Sequence, residues 1–385
     1  MKKICFVVQR YGLDVNGGAE LLCRQMAEKL LPFYRVDVYT TKAKDYTTWK
    51  NEFKCDKENI NGVCIYRYRN LKKRDEKKLA ELNISFRKEV IGNYDNEFKW
   101  IEAQGPYCPD LIESIKKNSK KYDKFIFFTY LYYTTIYGLP EVKDKSILVP
   151  TAHDEPYIYM NCMKKIFCET SAIFYMTAAE KRFVNNLFHN ENVISEVGGA
   201  GIVLHSDISE AIVAELGLQQ YLIYVGRLDE GKNVPQLINY FLEYKKRNPG
   251  NLKLVLVGQK FININRNKDI IELGFIDEKD KTNLEAGAFA LVLPSQFESL
   301  SLVVLEAMSL EVPVICNGKC EVVKDHCVSS NAGLYYENFA EFCGIINWLK
   351  NHPKEKKKLG NNGKKYVREN YTWDKIVSKL RILIG

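Results

Sequence analysis

Short runs of β-branched and aromatic residues alternate with amphipathic stretches along nearly the whole chain. In the first half this pattern predicts strands at Ile4–Gln9, Arg35–Thr41, Val63–Arg69, Lys124–Leu131, Ser146–Ala152, Ala172–Thr177 and Asn192–Val197. Helical periodicity lies between many of them, notably over Ala19–Leu31 and Pro109–Ser119. In the second half strands are expected at Tyr221–Gly226, Leu252–Gly258, Ile270–Gly274, Phe289–Leu293 and Pro313–Cys316. Helices fit Val234–Arg247, Glu278–Ala286, Leu302–Leu310, Phe339–Lys350 and Pro353–Glu369. Continuous apolar strands separated by helices describe a parallel sheet covered on both faces. The pattern runs twice, and Gly198-Gly199-Ala200-Gly201 between the two runs reads as a hinge or linker. The expected class is therefore α/β, with two Rossmann-like, doubly wound parallel-sheet domains facing a cleft, at residues 1–198 and 199–371. The last helix, 372–385, follows the Asn370-Tyr371 break and can pack on either domain. In such sheets ligands bind beyond the carboxyl ends of the strands, at a topological switch point.

Composition narrows the functional classes. A chain of 385 residues suits two or three domains. Its 46% hydrophobic and 27% charged residues exclude collagen, low-complexity disorder and a disulfide-stapled miniprotein. The net charge of +8 is too mild to call for a nucleic acid partner, and most of it falls before residue 200, where 32 basic residues face 26 acidic ones. The eleven cysteines are odd in number and form no C-x-x-C. Cys316, Cys320 and Cys327, with His326 near them, lack the spacing of a zinc site, which favours a reduced, cytoplasmic chain. Met1-Lys2-Lys3 followed by Ile4–Val8 imitates a signal peptide, but the apolar stretch is short of the ~7–15 residues such a signal needs. No run reaches the ~20 apolar residues of a membrane span.

Three loops carry candidate chemistry. After the first strand, Gln9-Arg10 lead into a loop with Gly12, Asn16, Gly17 and Gly18, and Ala19-Glu20 open a helix. Paired glycines before a helix N-terminus leave backbone N–H groups free to meet an anion. The segment reads equally as close approach to a phosphate or sugar and as a plain turn. Gly226-Arg227-Leu228-Asp229-Glu230-Gly231-Lys232-Asn233 nearly matches the phosphate-loop pattern G-x-x-x-x-G-K-[ST]. Its last position is Asn, so no hydroxyl is offered to Mg²⁺, and no apolar strand ending in Asp follows. The alternatives are two cations, Arg227 and Lys232, aimed at one diphosphate, or a helix-entry turn with both cations solvated. In the third segment, Phe297 to Met308, Glu306 falls in an otherwise apolar helix between two buried strands, where a carboxylate needs partners. Ser299 and Ser301 fall where that helix begins, at its positive end. Two glutamates eight residues apart on one helix would be displaced by ~12 Å. That argues against a two-carboxylate glycosidase, which needs ~5–9.5 Å.

Glu298 and Glu306, an E-x₇-E followed by Ala307-Met308, resemble the signature of family 4 retaining glycosyltransferases with the GT-B fold. Gly17-Gly18-Ala19-Glu20 resembles that family's N-terminal glycine loop, and Val225-Gly226-Arg227 with Lys232 resembles its diphosphate loop. The resemblance keeps the right order across most of the chain. It implies that Arg227 and Lys232 hold the donor diphosphate and that Glu306 accepts hydrogen bonds from ribose hydroxyls. It implies that Glu298 faces the donor sugar, with backbone N–H groups around Ser299, Leu300, Ser301, Leu302 and Val303 on sugar and phosphate. Gly17, Gly18 and Gly226 would allow close backbone approach, Phe275 would line the nucleobase, and His153 would stand near the transferred sugar. The donor would be a UDP- or GDP-linked sugar acting as co-substrate, with no further cofactor and no metal. The chain departs from the family in having one glycine in Leu256–Lys260, in the serines at 299 and 301, and in a long charged segment over 46–108.

The acceptor side is less legible. Arg67, Arg69, Lys72, Lys73, Arg74, Lys77 and Lys78 crowd together, and Lys116, Lys120 and Lys124 share a face if their helix continues. Such a stripe would dock peripherally on an anionic membrane, the inner leaflet for a cytoplasmic chain, or would be a solvated face. The expected function is transfer of a hexose-type sugar to a glycan or lipid-linked glycan acceptor, in synthesis of surface polysaccharide or glycolipid. A sugar-nucleotide epimerase on the same scaffold, a phosphate-loop nucleotide switch and a non-catalytic binding module are the competing readings.

Overall fold

A computed structural model describes residues 1–15, 17–88 and 94–385. It divides into two compact units, Met1–Gly199 with Ile376–Gly385, and Ala200–Lys375.

The first unit is built on β1 (Lys3–Val7), β2 (Arg35–Thr41), β3 (Lys57–Ile60), β4 (Val63–Tyr68), β5 (Lys124–Phe128), β6 (Ser146–Val149), β7 (Ala172–Tyr175) and β8 (Ile194–Val197). They form one sheet in the order β3-β4-β2-β1-β5-β6-β7-β8, parallel except for the β3–β4 hairpin. That hairpin turns through Asn61-Gly62, both with positive φ, as a two-residue type I′ connection requires. β3 had no apolar signal to find: Lys57, Glu58 and Asn59 make it a polar edge strand. The central strands are the apolar runs, with Ile4 to Val7 and Phe125 to Phe128 fully buried. The helices Gly18–Leu30 and Pro109–Asn118 cover the sheet through Leu22, Met26, Leu30, Leu111 and Ile115. Sheet order reverses between β1 and β5, which makes their carboxyl ends the switch point.

The second unit carries β9 (Tyr221–Val225), β10 (Lys253–Val257), β11 (Ile270–Gly274), β12 (Ala290–Leu293), β13 (Val314–Asn317) and β14 (Gly333–Tyr336). All are parallel, in the order β11-β10-β9-β12-β13-β14, with the switch point between β9 and β12. β14, a four-residue edge strand opening on glycine, escapes the hydrophobic pattern.

One expectation changes. The basic stripe does not form: the helix ends at Asn118, a 3₁₀ turn follows, and Lys124 lies in β5 with its ammonium on Ser171 Oγ at 3.2 Å. Lys116 and Lys120 therefore share no continuous helical face with Lys124. The boundary between the two units falls inside the Gly198–Gly201 run, and two of its glycines are also required by packing. A Cβ at Gly198 would stand 1.9 Å from the Phe174 ring, and one at Gly201 2.2 Å from the Trp373 ring.

Candidate functional site

In the second unit the loops after β9, β10 and β12 meet at the carboxyl edge of the sheet. Gly226 ends β9 with φ +149°, and its N–H donates to Val257 O at 2.9 Å. Gly258 ends β10 with φ +137°, and a Cβ there would stand 1.9 Å from Gly226 O. The two backbones touch, so the single glycine of the second loop is the one the contact demands. Leu228 N–H donates to Gln259 O, Phe261 N–H to Leu228 O, and Tyr224 Oη to Arg227 O, which fixes the course of the loop that carries Arg227.

Arg227 and Lys232 leave this loop differently. The guanidinium of Arg227 is 54% exposed, with Nε 3.3 Å from Asp229 Oδ2. Asp229 Oδ1 accepts the Lys232 N–H at 2.7 Å, so one aspartate shapes both residues. Lys232 Nζ reaches Glu298 Oε1, in the loop after β12, at 2.7 Å. Asn233, with φ +59°, begins the helix Val234–Arg247, and its amide is used on Gln236 Oε1 and Pro294 O. Where a phosphate loop would place a hydroxyl, this chain has a side chain that ties the two loops together. Asn317, at the end of β13, donates to Pro294 O as well, at 3.0 Å.

The E-x₇-E pair is not carried by one helix. Glu298 is in the loop, and the helix begins at Leu302. Ser301 precedes it with φ +66°, and its buried Oγ caps nothing, while Ser299 lies two residues farther back in the loop. The amides of Leu302 and Val303 form the first turn, which has no intrahelical acceptor. Leu300 O is held by His326 Nε2 at 3.1 Å, and His326 Nδ1 lies 3.1 Å from Tyr366 Oη. Burial lowers the His326 imidazole to about 4, so it is neutral. His326 thus props the glutamate loop, where sequence had weighed it only as a neighbour of cysteines. Among the described residues no group of three metal-ligating side chains is assembled. Glu306 is half-buried rather than enclosed by its helix, and its Oε2 accepts from Lys281 Nζ at 3.1 Å. Phe275, just past Gly274 (φ +66°), is 87% exposed.

The first unit has its own cluster at its switch point. Glu20 Oε1 accepts from Gln9 Nε2, Arg10 Nε and Arg10 Nη2 within 2.9 Å, and both charged groups are almost fully buried. A Cβ at Gly17 would stand 2.2 Å from Glu20 Oε2, whereas one at Gly18 would meet nothing within 4 Å. Gly17 therefore makes room for the buried carboxylate, and Gly18 is the open position. Asn16 lies outside the described residues. Thr129 after β5 and Thr151 after β6 hold φ of +60° and +53°, a strained state for β-branched residues. Thr129 Oγ1 donates to Gln9 Oε1 at 3.2 Å. His153 is 36% exposed at its side chain, with Nε2 3.6 Å from Glu155 Oε2. The amide of Ala152 beside it donates to Glu180, a wholly buried carboxyl that also accepts from Met176 N–H. Burial pushes the Glu180 carboxyl up to about 8 against those hydrogen bonds. Arg10, Glu180, Lys281 and the two strained threonines follow no motif. In sequence Arg10 stood out only as the residue that leads from the first strand into the glycine loop.

Residues 208–366 match the family model described as glycosyl transferases group 1. The chain is 28% identical over 169 residues to glycosyltransferase 1 domain-containing protein 1 of Xenopus tropicalis, covering 41% of this chain and 47% of that protein. The chain thus spans under half the length of that relative. It is 23% identical over 261 residues to the capsular polysaccharide biosynthesis glycosyltransferase CapM of Staphylococcus aureus, covering 61% of this chain and 68% of the relative. Among solved structures, sucrose-phosphate synthase from Thermosynechococcus elongatus superposes with a TM-score of 0.72 at 18% identity, over 100% of this chain and 98% of the other. The fold is that of the GT-B glycosyltransferases, and the match over the second unit supports a glycosyltransferase family.

Proposed function

We propose that this chain is a retaining glycosyltransferase that moves a hexose-type sugar from a nucleoside-diphosphate donor, UDP- or GDP-linked, to a glycan or lipid-linked glycan. The observation that carries the reading is the convergence of Arg227, Lys232, Glu298 and the first-turn amides of the helix Leu302–Ser309 on the β9/β12 switch point. Breaking a glycosyl–diphosphate bond leaves negative charge on the diphosphate. Fixed cations and a helix N-terminus stabilise that charge more in the transition state than in the ground state. Arg227 is free enough of the surface to fork onto phosphate oxygens, and Lys232 adds a compact charge. Glu298, already on Lys232, orients the ammonium and faces the sugar. Glu306 takes the ribose hydroxyls, and the exposed Phe275 ring offers a face to the base. In the first unit the reading assigns Gly18 to close backbone approach and His153 to the sugar.

The likeness to CapM supports surface polysaccharide as the product class. Among the described residues no helix is long and apolar enough to cross a membrane. Thermal shift against UDP- and GDP-sugars, with and without EDTA, tests the donor site. One nucleotide sugar should raise the melting temperature equally in both conditions. Arg227→Ala should lower turnover at least a hundredfold, about 2.7 kcal/mol, and Glu306→Ala should weaken nucleotide binding. If both variants behave as the parent, or if binding needs Mg²⁺ and ATP or GTP, the assignment is wrong.

A further inference from the structure

Lys281 sits on the helix Glu278–Ala286, which leads into β12, and Glu306 sits on the helix that follows β12. Lys281 Nζ lies 3.1 Å from Glu306 Oε2 and 2.6 Å from Glu278 Oε1, with its side chain only 16% exposed. One turn farther on, Glu285 is 1% exposed, and its Oε1 has no hydrogen-bond partner among the described residues. Three carboxyl groups therefore gather around one ammonium. Burial, and next the charge of Glu306, push the Glu285 carboxyl well above the usual range, which favours its neutral form. Lys281 is left to serve Glu306 and the exposed Glu278.

An anionic nucleotide gains hydrogen bonds from a carboxylate but is repelled by its charge. Lys281 cancels that charge and fixes one oxygen. The remaining lone pairs, on Oε1 above all, stay open to hydroxyl donors. We propose that Lys281 is the positioning residue for Glu306: it presents the carboxylate to the vicinal hydroxyls of a ribose and removes its repulsion of the diphosphate. This rests on the reading of Glu306 given above. Lys281 lies outside the three loops that carried candidate chemistry in the sequence, and its partner is 25 residues away on another helix.

The test is calorimetric titration of UDP and of GDP into the whole protein and four variants. Lys281→Met should weaken binding of the preferred nucleotide about tenfold or more, equivalent to about 1.4 kcal/mol. Lys281→Arg, which keeps the charge, should stay within threefold of the parent. Glu285→Gln, neutral like the favoured form of the group it replaces, should stay within twofold. Glu306→Ala should lose binding at least as strongly as Lys281→Met. If Glu306→Ala binds nucleotide as the parent does, the ribose reading itself fails. If Glu306→Ala is impaired and Lys281→Met is not, only the positioning role fails. Equal losses in Lys281→Met, Lys281→Arg and Glu285→Gln would assign the effect to packing of the cluster and overturn the proposal as well.

Discussion

Gly258→Ala is the substitution that most directly tests how the loops after β9 and β10 are held. The added methyl would stand 1.9 Å from Gly226 O, far inside van der Waals contact, and the atom it meets is backbone rather than a side-chain tip. The residue must also hold φ +137°, which a side chain resists. Overpacking of this kind costs ~1–3 kcal/mol and the strained backbone ~1–3 kcal/mol, so a loss of about 2–6 kcal/mol is expected. That is a large part of the ~5–15 kcal/mol that holds a domain together. Relief requires the β9 and β10 loops to part, which breaks the Gly226 N–H bond to Val257 O and displaces Arg227. Urea unfolding followed by tryptophan fluorescence reads the second unit through Trp348 and Trp373 and the first through Trp49 and Trp100. Gly217→Ala is the control: φ is +61° but a Cβ meets nothing within 4 Å, so only about 1–2 kcal/mol of backbone strain is expected. If Gly258→Ala unfolds within 0.5 kcal/mol of the parent (about the scatter of a neutral surface change), the contact does not pin the loops and the steric reasoning is refuted.

Two buried titratable groups give opposite pH dependences. His326 is held neutral, its folded value of about 4 lying below the ordinary 6.5, so the unfolded chain binds the extra proton between those values. Stability of the second unit should therefore be intact above pH 6.5 and fall by about 3 kcal/mol as pH drops to 4; urea titrations of the parent and of His326→Gln check this, and an acid limb that survives in the variant would reject the assignment. Glu180 is the reverse, its folded value of about 8 lying above the ordinary 4.5. The native state binds the extra proton, so stability of the first unit should decline as pH rises from 4.5 to 8, and Glu180→Gln should flatten that decline. An unchanged slope would mean that the Ala152 and Met176 amides keep the carboxylate charged.

Strands and motif loops were legible because each is a local pattern. β1, β5, β9 and β12 are buried on both faces, so their runs are apolar without interruption. β3 is an edge strand with polar residues, and only the Asn61-Gly62 turn betrayed it. The stripe through Lys116, Lys120 and Lys124 failed for a related reason. Lysines at helical spacing say nothing about where a helix stops, and the strand that follows needs its own first residue. The site divides in the same way. Gly226, Arg227 and Lys232 lie within seven residues, and the loop that holds them is short enough to be read as a unit. What holds them is remote: Glu298 from 66 residues away, Gly258 from the neighbouring strand, His326 behind Leu300, and Lys281 on a helix whose polar sequence resembles any solvated one.

Glu20 shows how the two kinds of residue mix inside one motif. It stands beside Gly17 and Gly18 in a segment that resembles a donor-contacting loop, yet its carboxylate is spent on Gln9 and Arg10 within the first unit. The buried carboxylate by itself already requires glycine at position 17, because a Cβ would enter the space of Oε2. Gly18, with open space where its side chain would be, is the one of the two glycines that the fold itself leaves unexplained. A motif thus records every residue whose replacement would damage the loop, by contact or by support. Only the packing around each separates the position facing a substrate from those that keep it in place.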